Sequence, residues 1–176
     1  APNGEEYIAY CIPVRGTASN SEWFSDFMFG TTGDHEGFYA AATGIQTELY
    51  NDLYNDGFDK DHTIIWLTGH SRGAAVSNII AGELTKDGVY ASGSHIFAYT
   101  YACPTVSKSA DTSLKNIFNF NNPGDLIPTL PLEGWGYRRY GQTINLDIAH
   151  KSNFDNRFLA VTSQEYVGAT TDEDWI

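Results

Sequence analysis

Cations are scarce in this sequence: 10 Lys and Arg stand against 22 Asp and Glu, a formal charge of −12 over 176 residues. Nucleic acids and anionic bilayers are bound through clustered cations, so neither is an expected partner. Cysteine is scarcer still. Cys11 and Cys103 are the only two, which excludes a disulfide framework and a cysteine-based zinc motif. Both lie in apolar, strand-like runs and are expected as buried thiols. No apolar run approaches the roughly 20 residues of a spanning helix, and no signal-peptide pattern is present. The first residue is Ala1 and not Met, which suits a trimmed leader, and secretion is expected ahead of a cytoplasmic location. Repeats, low-complexity tracts and linkers are absent, so residues 1–176 are expected to form one domain. With 41% hydrophobic and 18% charged residues, the composition is that of a globular core under an acidic, solvated surface.

What is present centres on Ile64-Ile65-Trp66-Leu67-Thr68-Gly69-His70-Ser71-Arg72-Gly73. An apolar run ends at a Gly-x-Ser-x-Gly pentapeptide, and a helical stripe (Val76, Ile79, Ile80, Leu84) follows at once. This is the layout of a nucleophile elbow, a sharp strand-to-helix turn that exposes a serine above a sheet. The pentapeptide alone is weak evidence; its flanks make the case.

Along the chain, Tyr7–Val14 reads as a strand, with Pro13 pointing to an edge or a bulge. Trp23, Phe24, Phe27 and Met28 share one helical face, which fits a core helix and an amphipathic lid over a pocket equally well. Phe38, Ala42, Ile45, Leu49 and Leu53 step by three or four and predict a helix closed at Gly57. The acidic residues around Gly57 do not make a calcium loop, because Tyr54 and Thr63 fall where an EF-hand needs ligands. Strands are predicted at Ile64–Leu67, Ile96–Tyr101 and Leu114–Phe120, and a β-hairpin or ribbon at Gly136–Leu146 around Gly141-Gln142. A last helix is predicted near residues 153–160. Alternating strands and helices predict a three-layer α/β/α fold of hydrolase type around a mostly parallel sheet.

A serine hydroxyl needs a base to remove its proton, commonly an oriented histidine. His70 lies inside the elbow and is expected to pack. His62 and His95 precede their strands and so belong to the sheet end opposite the elbow, whereas active sites gather at the carboxyl ends. His35 stays open as a base. His150 fits best, because it follows an acidic loop and so preserves the order serine, acid, histidine. Asp125, in a Pro/Gly loop after a strand, is the leading acid, ahead of Asp147 and Asp155. The oxyanion donors expected are the backbone N–H of Arg72 and a group at Thr17.

These segments together resemble the class 3 lipase family, the fungal-lipase-like α/β-hydrolases. Val14-Arg15-Gly16-Thr17 with Trp23 and Asp26 is similar to its Arg-Gly-Ser/Thr…Trp…Asp run, and His35-Glu36-Gly37-Phe38-Tyr39 to its His-x-Gly-Phe motif. Thr68-Gly69-His70-Ser71 resembles its elbow, and Thr100-Tyr101-Ala102-Cys103-Pro104 its Thr-Phe-Gly-Ser-Pro strand end. Asn121 to Pro131 is similar to its Asn…Asp-x-Val-Pro-x-Leu-Pro segment, and Gly136 to Gly141 to the ribbon before its histidine. Arg72 stands for the usual Leu, Ala74 for a Gly, and Ala102-Cys103 for Gly-Ser; there is also less chain before Arg15 than the family has. The resemblance implies ester hydrolysis through an acyl-serine, with Ser71, Asp125 and His150 as triad and His35 structural. It implies a small-molecule or lipid ester substrate, at most a transient contact with a lipid interface, and no cofactor or metal. The competing expectations are a non-catalytic binding domain on the same scaffold, or a serine peptidase or acyltransferase. Oligomeric state stays open.

Overall fold

The computed structural model describes residues 4–16 and 35–146. The expectations placed on Thr17, on the aromatic segment Trp23, Phe24, Phe27 and Met28, and on His150 lie outside the described residues, as do Asp147 and Asp155. The elements, in chain order, are β1 (Ile8–Val14), α1 (Glu36–Asp56), β2 (Thr63–His70), α2 (Arg72–Asp87), β3 (Ile96–Tyr101), β4 (Ile117–Asn121) and β5 (Gln142–Asn145). All belong to the compact unit Ala1–Asn145; a second unit, Leu146–Ile176, lies outside the described residues apart from Leu146.

The strands form one parallel sheet in the order β1-β2-β3-β4-β5, with Ile12 opposite Leu67 and Leu67 opposite Ala98. This is the α/β class that the alternating pattern predicts. Crossovers between parallel strands are nearly always right-handed. When strand order also runs one way across the sheet, that handedness sends each crossover over the same face. Both helices accordingly pack into one core with Ile65, Leu67, Ile96, Ala98 and Ile117. Leu53, Ile65, Leu67, Ile79 and Ile80 are fully buried there, and each contributes about 1.5–3 kcal/mol by leaving water.

The α1 stripe ends as its sequence predicts. Gly57 takes a left-handed φ of 66°, and the N–H of Phe58 closes the helix on the Leu53 carbonyl at 3.1 Å. Among the described strands β1 lies at the edge of the sheet, which accommodates the missing N–H of Pro13.

The opposite sheet face carries an aromatic ladder. Trp66 meets Tyr99 edge-on at 6.4 Å, Tyr99 stacks on Phe118 at 5.4 Å, and Tyr101 stacks on Phe120 at 5.6 Å. Trp66 and Tyr101 stay about half exposed, at 44% and 48%.

Three expectations need correction here. Cys11 is exposed and only Cys103 is buried, because strand alternation puts Cys11 on the face away from the helices. His70 does not pack; it shares the phase of Trp66 and is exposed. Gly136–Leu146 is no hairpin. Arg138 bridges antiparallel to Ser107, the chain turns at Gly141 (φ 79°), and β5 then pairs parallel with β4. Both strand partners come from elsewhere in the chain.

Candidate active site

Ser71 occupies the single residue between β2 and α2, with φ 55° and ψ −124°. A non-glycine residue held at such angles costs on the order of 1–3 kcal/mol and persists only where its surroundings over-determine it. Those surroundings are backbone. A Cβ on Gly69 would collide with the Gly73 backbone, and one on Gly73 with the carbonyl of Val14. The N–H of Ser71 is held by the Tyr101 carbonyl at 3.0 Å, and the Ser71 carbonyl accepts from Ala75 at 3.1 Å. The Ser77 hydroxyl ties α2 back to the Thr68 carbonyl at 3.0 Å. Arg72 opens α2, so its N–H is among those with no carbonyl one turn earlier in the helix. The positive end of the helix thus begins at Ser71.

Asp125 follows β4 and therefore sits at the same carboxyl edge of the parallel sheet, two strands from β2 or about 10 Å in the sheet plane. Its Oδ1 accepts the N–H of Ile127 at 2.9 Å, and its own N–H bonds the Asn122 carbonyl at 3.0 Å. One carboxylate oxygen is thereby committed to shaping the turn. The other is the oxygen suited to take an imidazole N–H. An open cleft of about 620 Å³ lies beside it, lined by Asn121, Asp125, Pro128, Leu132, Arg139 and Thr143.

The rest of the acid loop is tied down from a distance. Thr105 donates its N–H to the Leu130 carbonyl at 3.0 Å and its hydroxyl to the Pro131 carbonyl at 2.5 Å. Arg139, only 6% exposed, donates Nε to the Cys103 carbonyl at 2.6 Å and Nη2 to the Pro128 carbonyl. Glu133 lies 3.7 Å from its third nitrogen. Burial pushes the Cys103 thiol up to about 12, against the opposite pull of the Arg139 charge, so Cys103 is an inert thiol at neutral pH.

A buried polar network fixes the segment leading into β5. Asn78 on α2 and Asn119 on β4 both donate to the Tyr140 carbonyl, at 2.8 and 2.9 Å. Asn78 returns an acceptor to the Tyr140 N–H at 3.0 Å, and Thr100 donates to Asn119 Oδ1 at 2.7 Å. Three elements, α2, β3 and β4, meet the segment before β5 in these bonds, and a network so fully bonded rigidifies a core.

The other histidines take their expected places. His35 is 1% exposed and stacks on Phe38 at 3.7 Å, a packing position. His62 precedes β2 and His95 precedes β3, at the far end of the sheet. There His62 bonds Asp59 at 2.7 Å, which raises the imidazole above its usual 6.5 and lowers the carboxylate. Among the described residues, no group of His, Cys, Asp and Glu is arranged to hold a metal ion.

Ser71, the Arg72 N–H and Asp125 thus converge on one edge of the sheet. The family model for class 3 lipases matches residues 11–135. The chain belongs to the class 3 lipase family. It is 28% identical over 141 residues to secreted mono- and diacylglycerol lipase A of Penicillium cyclopium, covering 73% of this chain and 45% of that protein. It is 26% identical over 152 residues to a lipase of Rhizomucor miehei, covering 79% and 42%. Among solved structures, the mono- and diacylglycerol lipase from Aspergillus oryzae is 26% identical with a TM-score of 0.57, over 73% of this chain and 51% of that one. A lipase from Rhizopus microsporus var. chinensis, at 21% identity and a TM-score of 0.61, covers 77% and 53% and shares the fold. The chain spans less than half the length of the curated relatives it matches.

Ala102, standing where the family motif has glycine, takes φ 49°. The glycine suits a left-handed turn, and the alanine here bears the strain. Arg139 and the Asn78–Asn119 network were not singled out from sequence. The available signal was phase, since Arg139 follows buried Tyr137 at the inward position of an alternating run.

Proposed function

We propose that this class 3 lipase family member is a serine carboxylic ester hydrolase. The observation that carries the reading is Ser71 held at φ 55° between β2 and α2, the conformation in which an elbow presents its hydroxyl to substrate. In this mechanism His150 takes the Ser71 proton as the hydroxyl attacks the ester carbonyl, and Asp125 stabilises the imidazolium that forms. The Arg72 N–H and Thr17 receive the developing oxyanion. The histidine then returns the proton to the departing alcohol, and water reverses the sequence to free the acid. No cofactor enters this chemistry.

Acyl esters of glycerol are the proposed substrate class, supported by relatives named as mono- and diacylglycerol lipases. The Trp23, Phe24, Phe27 and Met28 face is proposed to receive the acyl chain or a lipid interface. Secretion is proposed on the name of the Penicillium relative. Hydrolysis of p-nitrophenyl esters over a series of chain lengths tests the reading. Ser71→Ala and His150→Ala should each lower kcat by about 10³-fold or more, and Asp125→Asn should follow. Wild-type activity in Ser71→Ala would refute the elbow assignment; an active His150→Ala would return the base to one of the other histidines.

A further inference from the structure

We propose that Arg139 is a positioning residue, a clamp that sets the Asp125 loop relative to the nucleophile elbow. The proposal deepens the hydrolase reading above and rests on it for its catalytic consequence. Its physical basis is a chain of bonds with Arg139 at the middle. The elbow hangs on the end of β3, where the Tyr101 carbonyl holds the Ser71 N–H at 3.0 Å. Two residues later, the Cys103 carbonyl accepts Arg139 Nε at 2.6 Å. On its other side the same guanidinium holds the Pro128 carbonyl, three residues beyond Asp125. One planar fork therefore spans the loop that carries Asp125 and the chain just beyond the strand end whose Tyr101 carbonyl holds the Ser71 N–H.

The choice of residue matters. A guanidinium presents donors in a fixed plane and stays charged when buried, whereas a lysine ammonium is a single point on a flexible stem. Arg139 is 6% exposed, and the Glu133 carboxylate near it is 3.7 Å away and itself well exposed. A buried cation with so loose a counterion is costly unless its donors are taken up, and two of them are taken up by backbone carbonyls of the site's two halves. The anchor is itself anchored: Tyr140, the next residue, is bonded on both its N–H and its carbonyl by Asn78 and Asn119. The clamp therefore transmits the position of the core to a loop that has no regular secondary structure apart from single turns at Ile127–Thr129 and Glu133–Trp135.

The consequence is kinetic. When the clamp is removed, the Asp125 carboxylate is no longer held in one place for the base of the proposed mechanism, while the backbone contacts of the elbow stay as they were. Arg139→Gln, Arg139→Lys, Asp125→Asn and the Arg139→Gln/Asp125→Asn double variant test this with two readouts. The first is amide hydrogen exchange followed by mass spectrometry, which needs no activity. Arg139→Gln should lose protection in peptides covering 122–132 and keep it in those covering 69–80. The second is hydrolysis of p-nitrophenyl butyrate against pH. Arg139→Gln should lower kcat by roughly 10–100-fold with KM within about twofold. Its acid limb should shift to lower pH, as in Asp125→Asn, because the imidazolium has lost its carboxylate. In the Asp125→Asn background the same change should cost less than about twofold, since the two residues act as one unit. Arg139→Lys should fall between wild type and Arg139→Gln in both readouts, and it serves in place of Arg139→Gln if that variant does not fold.

Unchanged exchange over 122–132 overturns the clamp. Losses that multiply with Asp125→Asn, or a pH limb that does not move, overturn its action through Asp125. If the wild-type chain hydrolyses no ester, the hydrolase reading falls, and exchange alone decides whether the clamp exists.

Discussion

The two halves of the site are built on different principles. At the elbow, backbone lies against backbone: Gly69 on Gly73, Gly73 on Val14, and the Ser71 N–H on the Tyr101 carbonyl. At the acid loop, side chains reach in from elsewhere in the chain to hold backbone carbonyls: the Thr105 hydroxyl on Pro131 and the Arg139 guanidinium on Pro128. The first kind of construction tolerates no added atom and is rigid by sterics. The second depends on a few hydrogen bonds, each with a modest net value of about 0.5–1.5 kcal/mol. The proposed nucleophile, Ser71, is thus held by contacts that cannot slacken, and the proposed acid, Asp125, lies in a loop held by contacts that a single substitution removes.

Substitutions at the two halves should therefore differ in size and in reach. Gly73→Ala should be the most severe: its Cβ meets backbone that cannot yield, so destabilisation of about 3 kcal/mol or more is expected in urea unfolding. A loss under about 1 kcal/mol would mean that the elbow can relax and that the contrast is false. Thr105→Val should cost less, about 1–2 kcal/mol, by leaving the Pro131 carbonyl without its hydroxyl partner. The extra hydrogen exchange should be confined to the acid loop, and spread into α2 would show that the halves are coupled.

Ala102→Gly probes the join between them and should stabilise. Relieving the left-handed φ of 49° is worth about 1 kcal/mol, offset in part by the greater freedom of glycine when unfolded. A thermal melt that falls would show that the methyl group, 9% exposed, packs better than its strain costs.

The far end of the sheet supplies the smallest effect. His62 is raised by its bond to Asp59, so its contribution to stability is complete below the unfolded value of about 6.5 and is lost as pH rises through its higher folded value. Asp59 is lowered, so its share is present above 3.8 and lost as pH falls through its lower folded value. Asp59→Asn should bring the His62 midpoint, followed by NMR, down toward 6.5 and leave ester hydrolysis unchanged. A change in kcat would join this end to the site.

Legibility in the sequence followed the same division. The α1 stripe from Phe38 to Leu53 and its Gly57 stop report only on neighbours within a turn or two, and they hold in the structure. Pro13 on an edge strand is likewise a local fact, a missing donor that an edge tolerates. Ser71 between two glycines was legible because the identity of a glycine records the closeness of backbone at its own position. The segment from Gly136 to Leu146 was misread because alternation shows that a stretch pairs as a strand but not with what; its partners are Ser107 and β4. Cys11 was expected to be buried because it lies in an apolar run, and His70 to pack because it lies inside the elbow; both are exposed because their strand phase points away from the two described helices.

By itself, then, the sequence determined the parallel α/β alternation, the strained turn at Ser71 and the candidate acid at Asp125, since each is encoded in residues adjacent along the chain. The tertiary structure alone decided that Arg139 is buried between Cys103 and Pro128 and that Asn78 and Asn119 close on Tyr140. The physical reason is range. A steric requirement is met or violated within a few residues, whereas a side chain's bond to a carbonyl dozens of residues away exists only once the sheet has brought the two together.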